Sequence, residues 1–299
     1  MRGMPAPLLM VLATLLFATM GVCVKLASAH YSTGEIVLYR GLIGMVAMAG
    51  VARWRGERLR TQRLGMHFWR SATGTIALVL WFYAISGLPL ATGMTLNYMS
   101  SVWIALFLLG GSVMLGGDKV DGRLVAAVLV GFGGVALVLR PTLDQQQLWH
   151  GLSGLLSGML SAMAYLQVTT LGRAGEPATR IVFYFSIGGA LAGGTLSLFT
   201  GLHAHTLQSA ALVLAIGVLA TGAQMLMTHA YRVGSTLSNA SLQYLGIAFS
   251  FGYGALLFHD PVTWMAVAGM LLIVAAGLTA TLVRSRTAPK DAQESTTEL

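Results

Sequence analysis

Long apolar runs, each closed by a short polar, glycine or proline break, recur along the whole chain. They fall at 7–29, 36–52, 66–87, 90–115, 124–140, 151–172, 181–200, 208–230, 236–258 and 262–283. Each is close to the roughly 20 residues that carry an α-helix across a hydrocarbon layer about 30 Å thick. The pattern predicts ten transmembrane helices. The shortest breaks lie near Ser86–Leu90 and Tyr231–Ser235. Pro89 reinforces the first of these, because proline disfavours helix at the residue before it.

Composition narrows the class. Hydrophobic residues make up 56% of 299 positions and charged residues 9%, against roughly a quarter charged in soluble domains, so a water-soluble fold is excluded. The net charge of +8 raises nucleic acid as a partner, but the basic residues sit in the gaps between apolar runs. With the N-terminus placed in the cytoplasm, fifteen of the eighteen Lys and Arg fall on that side. Only Arg140 falls on the other, and Lys25 and Arg40 lie within spans. Cytoplasmic loops are enriched in Lys and Arg, so the expectation is a multi-pass protein of a bacterial inner membrane with both termini cytoplasmic, contacting lipid and not nucleic acid. The first run is longer than a signal-peptide core and reads as a retained helix. The lone Cys23 allows no internal disulfide.

The two halves resemble each other. Ile36, Val37 and Tyr39 recur as Ile181, Val182 and Tyr184 at an offset of 145; Ala84, Leu96 and Tyr98 recur as Ala230, Leu242 and Tyr244 at 146; Asp118 and Val120 recur as Asp260 and Val262 at 142. This divides the chain into repeats at 1–145 and 146–283, with a polar tail at 284–299 expected to be disordered in the cytoplasm. A unit of five spans is odd, so the second copy enters the membrane from the opposite side. The fold class is all-α integral membrane: ten transmembrane helices in two inverted five-helix repeats. Inverted repeats are a recurring plan of secondary transporters, with the solute site near the midplane between halves.

Candidate chemistry lies in the few polar residues inside the runs. No span centre carries a carboxylate, which disfavours a proton relay of intramembrane acids. Lys25 and Arg40 are charged residues within spans. With Glu35 they form an expected outer cluster, either snorkelling to the interface or taking part in gating or coupling. Asn97 and Tyr98 correspond to Gln243 and Tyr244, so a pseudo-twofold axis brings two amides and two phenols to one region, able to donate and accept hydrogen bonds from a solute or to bridge packed helices. Trp81, Gln224, Tyr165 and Gln167 are further substrate-binding candidates. His67 and Arg70 at the start of the third run, and His229 near the end of the eighth, are expected at lipid headgroups, with His229 also a possible coupling residue through its titration near neutrality. His203 and His205 are too sparse for a metal site, and no cofactor is expected. Motifs of intramembrane enzymes, HExxH, DDxxD and GxSxG, are missing.

The segments FATMGVCVKLAS, IVLYRG, WFYAISGLPLATGMTLNYMSSVWIALF (81–107) and GFGGVALVLRP, with the second-half AYRVGSTLSNASLQYLGIAFSFGYGALLF, resemble the EamA family of the drug/metabolite transporter superfamily. Asp118 and Asp260 stand where the family commonly has Glu. The resemblance implies a carrier, not an enzyme, with a central cavity shared by both halves. Members of the family move amino acids, nucleotide-like metabolites, riboflavin-like vitamins or drugs. The expectation for this chain is alternating access to a small metabolite, an amino acid or related polar or aromatic solute. Export is favoured, with uptake of a nucleotide-like metabolite or vitamin as the alternative. It leaves monomer and homodimer both open.

Overall fold

The computed structural model describes residues 4–114, 145–260 and 263–287, with isolated positions between 115 and 144. The expected span at 124–140 is largely outside the described residues, as are Asp118, Arg140 and the tail from 288. The elements are α1 (Ala6–Ala27), α2 (Thr33–Arg55), α3 (Leu64–Gly87), α4 (Leu90–Tyr98), α5 (Ser100–Met114), α6 (Gln145–Arg173), α7 (Ala178–Thr200), α8 (Leu207–Val233), α9 (Thr236–Leu242), α10 (Leu245–Leu257) and α11 (Trp264–Thr287). α11 thus continues past the boundary expected at 283.

Helix ends follow from local chemistry. Ser32 and Glu35 form a reciprocal capping box that starts α2, and Thr206 with Ser209 does the same for α8, each satisfying backbone N–H groups that the first turn leaves free. α2 stops at Gly56, whose φ of 67° is readily reached only without a side chain. α3 gives way to an extended Leu88, the conformation a following proline demands.

Six of these helices, α1, α2, α3, α6, α7 and α8, are long and apolar enough to cross a membrane. Their burial pattern is that of a lipid-facing bundle. Leu198, Leu256 and Val46 are 85%, 78% and 67% exposed, while Asn97, Gln243 and Arg70 are almost fully buried. Following the helices in order assigns two faces. One, the N-terminal face, carries the start of α1, the α2–α3 loop and the α6–α7 loop. The opposite face carries the α1–α2, α7–α8 and α10–α11 loops.

The fourth and ninth runs, expected as single spans, are each interrupted in mid-course. Met99 N–H reaches back to Leu96 as well as Thr95, and Gly246 and Ile247 donate to Gln243 and Tyr244, three residues back. Both interruptions are therefore tightened turns of 3₁₀ type. They meet: Ser101 Oγ donates to the Ala240 carbonyl at 2.6 Å, and Ser100 Oγ to Gln243 Oε1 at 3.4 Å. A serine hydroxyl is thus the local partner for backbone inside the membrane-spanning bundle.

Small residues let α2 and α7 cross in backbone contact. A methyl group on Gly41 would run into the amide nitrogen of Ala190 and lie 2.8 Å from its Cα and from the Ser186 carbonyl; one on Gly193 would run into Leu38. Likewise Gly158 on α6 lies against the Leu96 carbonyl of α4. In lipid such close approach supplies the packing energy that water would otherwise supply. Gly41→Val is expected to cost at least about 2 kcal/mol, whereas Gly50→Ala, which meets no atom within 4 Å, should be neutral or stabilising by up to about 1 kcal/mol; melting temperatures in detergent separate the two.

Candidate functional site

Three layers of polar chemistry run through the bundle, one at its centre and one near each face. At the centre lies a buried cavity of about 40 Å³, room for roughly three waters. Of the sequence candidates, Trp81, Asn97, Tyr98, Tyr165, Gln224 and Arg40 line it, and they are joined by Phe17, Arg70, Ser161 and Phe185. Both halves of the chain contribute. Arg40 sits seven residues into α2 from the opposite face, and Arg70 six residues into α3 from the N-terminal face, so each is roughly 10 Å along its helix. Their guanidinium carbons lie 5.0 and 4.3 Å from the centroid of the Phe185 ring, a cation–π geometry shared by two cations. Arg40 is 4% and Arg70 2% exposed.

Several lining groups are already engaged and several are not. Asn97 Nδ2 donates to Ser157 and Ser161 at 2.6 and 3.2 Å, so this amide bridges α4 to α6 as well as facing the hollow. Arg40 Nε, Arg70 Nε and Nη1, Trp81 Nε1, Tyr98 Oη and Gln224 Nε2 are buried without a hydrogen-bond partner. All of these can donate, and buried donors without partners are costly.

The remaining candidates lie elsewhere. Gln243 donates to Tyr231 Oη at 3.1 Å beside the paired helix interruptions. Tyr244 lines an apolar groove between α10 and α11. Gln167 accepts from Thr73 at 3.0 Å. His229 lines a wider basin on the N-terminal face with Arg55, Glu57 and Arg232. Gln243, the repeat counterpart of Asn97, bonds to Tyr165 of the lining without itself lining the cavity; the interruption follows Tyr98 in one half and takes in Gln243 and Tyr244 in the other.

The expected trio of Lys25, Arg40 and Glu35 also does not form, because each takes a different partner. Near the opposite face Lys25 Nζ lies 3.3 Å from Asp260 Oδ1 and donates to the Leu88 carbonyl at 3.0 Å, while Asp260 accepts from Leu90 N–H at 2.8 Å. Glu35 accepts from Ser32 and from the amide and ring of His203. His205 is held between Tyr31 and Tyr39.

At the N-terminal face a second latch ties the α2–α3 loop to the α6–α7 loop. Glu176 accepts from Thr61 at 2.7 Å and Arg180 at 2.8 Å and lies 3.2 Å from His67 Nε2; Arg180 also donates to the Arg58 carbonyl at 3.0 Å. His67 and Arg70, expected at headgroups, are both buried, since this face of α3 packs on α7. Burial alone would raise the Glu176 carboxyl, but hydrogen bonds from Thr61, Arg180 and His67 and the Arg180 charge outweigh it and hold the group below the usual range.

Arg70 and Phe185 line the cavity and were not among the binding candidates read from the sequence. The available signal for Arg70 was Gly74, one turn on: a side chain there would run into Arg70 Nη1 and meet Phe185 at 3.1 Å, so the glycine leaves room for the guanidinium along its own helix.

A small central cavity in a membrane-spanning helical bundle, with ion pairs towards either face, is an arrangement that suits a membrane transporter, and the relatives of this chain are transporters. Residues 4–140 match the EamA-like transporter family. The chain is 32% identical over 269 residues to the pseudopaline exporter of Pseudomonas aeruginosa, covering 90% of this chain and 93% of that protein. It is 25% identical to a riboflavin transporter of Rhizobium johnstonii, covering 93% and 91%, and 24% identical to mouse solute carrier family 35 member G1, covering 92% and 77%. A crystal structure at 16% identity superposes with a TM-score of 0.68 over 95% of this chain and 99% of its own, a likeness of fold. The chain belongs to the EamA-like transporter family of the drug/metabolite transporter superfamily.

Removing the latch carboxylate leaves His67 and Arg180 without their partner, so Glu176→Ala should destabilise the protein by roughly 3 kcal/mol. Because the carboxyl is depressed, its contribution is full above the ordinary glutamate value of about 4.3 and is lost as pH falls through the lower folded-state value. Protease cleavage in the 56–63 loop should therefore rise in the variant at neutral pH, and in the parent protein only under strong acid.

Proposed function

We propose that this protein is an alternating-access carrier of the bacterial inner membrane. It moves a small polar or aromatic metabolite, with export favoured over uptake and both termini cytoplasmic. The observation that carries the reading is the central cavity, built from Arg40, Arg70, Trp81 and Asn97 of the first half and Tyr165, Phe185 and Gln224 of the second, and bounded by the Lys25–Asp260 and Glu176–Arg180 latches. A hollow of this size holds no metabolite until one end opens, as a state between two open ones would behave.

The helix pairings favour the inverted repeat. α2 packs on α7, and α1 on α8 has its counterpart in α3 on α6; the matched interruptions in the fourth and ninth runs add a second correspondence. Rocking of one half against the other around a fixed site is the usual consequence of that plan. Export is favoured by the exporter relative; the riboflavin transporters favour uptake of a vitamin-like solute as the second reading. Among the described residues the lining holds no carboxylate, histidine or cysteine, which leaves an intramembrane enzyme without the commonest general bases or a thiol nucleophile.

Counterflow tests the carrier. Proteoliposomes preloaded with unlabelled amino acids, nucleosides, vitamins or organic acids should take up the matching external radiolabel in a transient, saturable overshoot, reduced at least tenfold in Trp81→Ala together with Gln224→Ala. Flux that rises linearly with concentration and ignores the internal solute would remove alternating access.

A further inference from the structure

The arginine pair is more specific than a generic carrier requires. Guanidinium groups are not deprotonated in proteins, so the cavity holds two permanent positive charges at membrane depth, where uncompensated charge is unfavourable. Three acids of the described residues are committed elsewhere: Glu35 to Ser32 and His203, Glu176 to Thr61, His67 and Arg180, and Asp260 to Lys25 and Leu90. Among the described residues neither arginine takes part in an ion pair. Phe185 offers both cations the face of its ring, which compensates charge only in part.

Among the described residues the hollow therefore lacks an acceptor of matching charge. Arg40 Nε, Arg70 Nε and Nη1, Trp81 Nε1 and Gln224 Nε2 are unpartnered donors around it, and Phe17, Trp81 and Phe185 supply flat apolar walls. Arginine recognises carboxylate and phosphate through paired N–H groups. We propose that the cavity takes a solute carrying two oxyanion groups, carboxylate or phosphate, on an aromatic or apolar body, with one group matched to Arg40 and the other to Arg70. The inference rests on the reading of this cavity as the carrier's binding site. It names the class of solute: dianionic, acceptor-rich and partly flat. Neutral amides and cations of the same shape are excluded, because they leave the guanidinium charges unbalanced.

Binding to the full chain in detergent decides the matter, with thermal stabilisation as the readout. The probes are phthalate and 1,2-phenylene bisphosphate, compared with neutral phthalamide and cationic benzyltrimethylammonium. The two anions should raise the melting temperature of the parent protein in a saturable way and the other two should not; whichever anion binds more tightly distinguishes carboxylate from phosphate. Arg40→Gln and Arg70→Gln should each weaken the anions roughly ten- to hundredfold. Arg40→Lys and Arg70→Lys should retain part of the affinity, and Arg53→Gln on the surface should change nothing. The parent protein's preference for anion over diamide needs no variant to fold. Equal stabilisation by phthalamide, binding of neither anion, or undiminished anion binding in a folded arginine variant would each overturn the assignment. Anion binding without trans-stimulated counterflow of the same anion would instead leave the assignment standing and remove the carrier reading.

Discussion

Desolvation of charge is the constraint that organises this molecule. Lipid surrounds the bundle, so each ionic group must find a partner within the protein, reach an interface or accept a cost. The chain answers in three layers. Lys25 and Asp260 are paired near one face, Glu176 with Arg180 and His67 near the other, and Arg40 and Arg70 are left in the middle with a phenyl ring between their helices. The two ends are satisfied and the middle is not. That contrast, more than any single residue, is what the proposed solute site rests on.

Backbone chemistry follows the same rule. Helices in lipid satisfy their own N–H and C=O groups, and irregular segments survive only where protein supplies the partner. The interruptions after Tyr98 and Leu242 obey it by leaning on each other through Ser101 and the Ala240 carbonyl. Glycine then sets the distances. Gly41 and Gly193 bring α2 and α7 into backbone contact, and Gly158 brings α6 onto α4, so the elements that carry Arg40, Phe185 and Asn97 converge.

Much of the fold was legible because apolar length is a direct physical requirement: the run at 7–29 became α1, and those at 66–87 and 208–230 became α3 and α8. The interruptions were not legible, since tightened turns within an apolar run leave hydropathy unchanged. At the site, Trp81, Asn97, Tyr98, Tyr165, Gln224 and Arg40 could be picked out as polar or aromatic residues in mid-span. Arg70 was assigned to the interface because it follows a basic loop, yet six residues of helix carry it well inside. Gln243 and Tyr244 were chosen by internal homology; Gln243 reaches the lining through Tyr165 and Tyr244 lines the groove between α10 and α11. Partners distant in the chain, such as Lys25 with Asp260, leave no local trace at all.

Pro89 gives the Lys25–Asp260 contact a second meaning. Helices leave their terminal carbonyls and amides unbonded, and at this junction the carbonyl belongs to Leu88 and the amide to Leu90, on either side of a residue that has no N–H to offer. Lys25 caps the one and Asp260 the other. The ion pair is thus a splint for a broken main chain as well as a clasp between distant segments. Parting its two halves would bare both backbone groups together, so this end of the bundle gives way as a unit, not residue by residue.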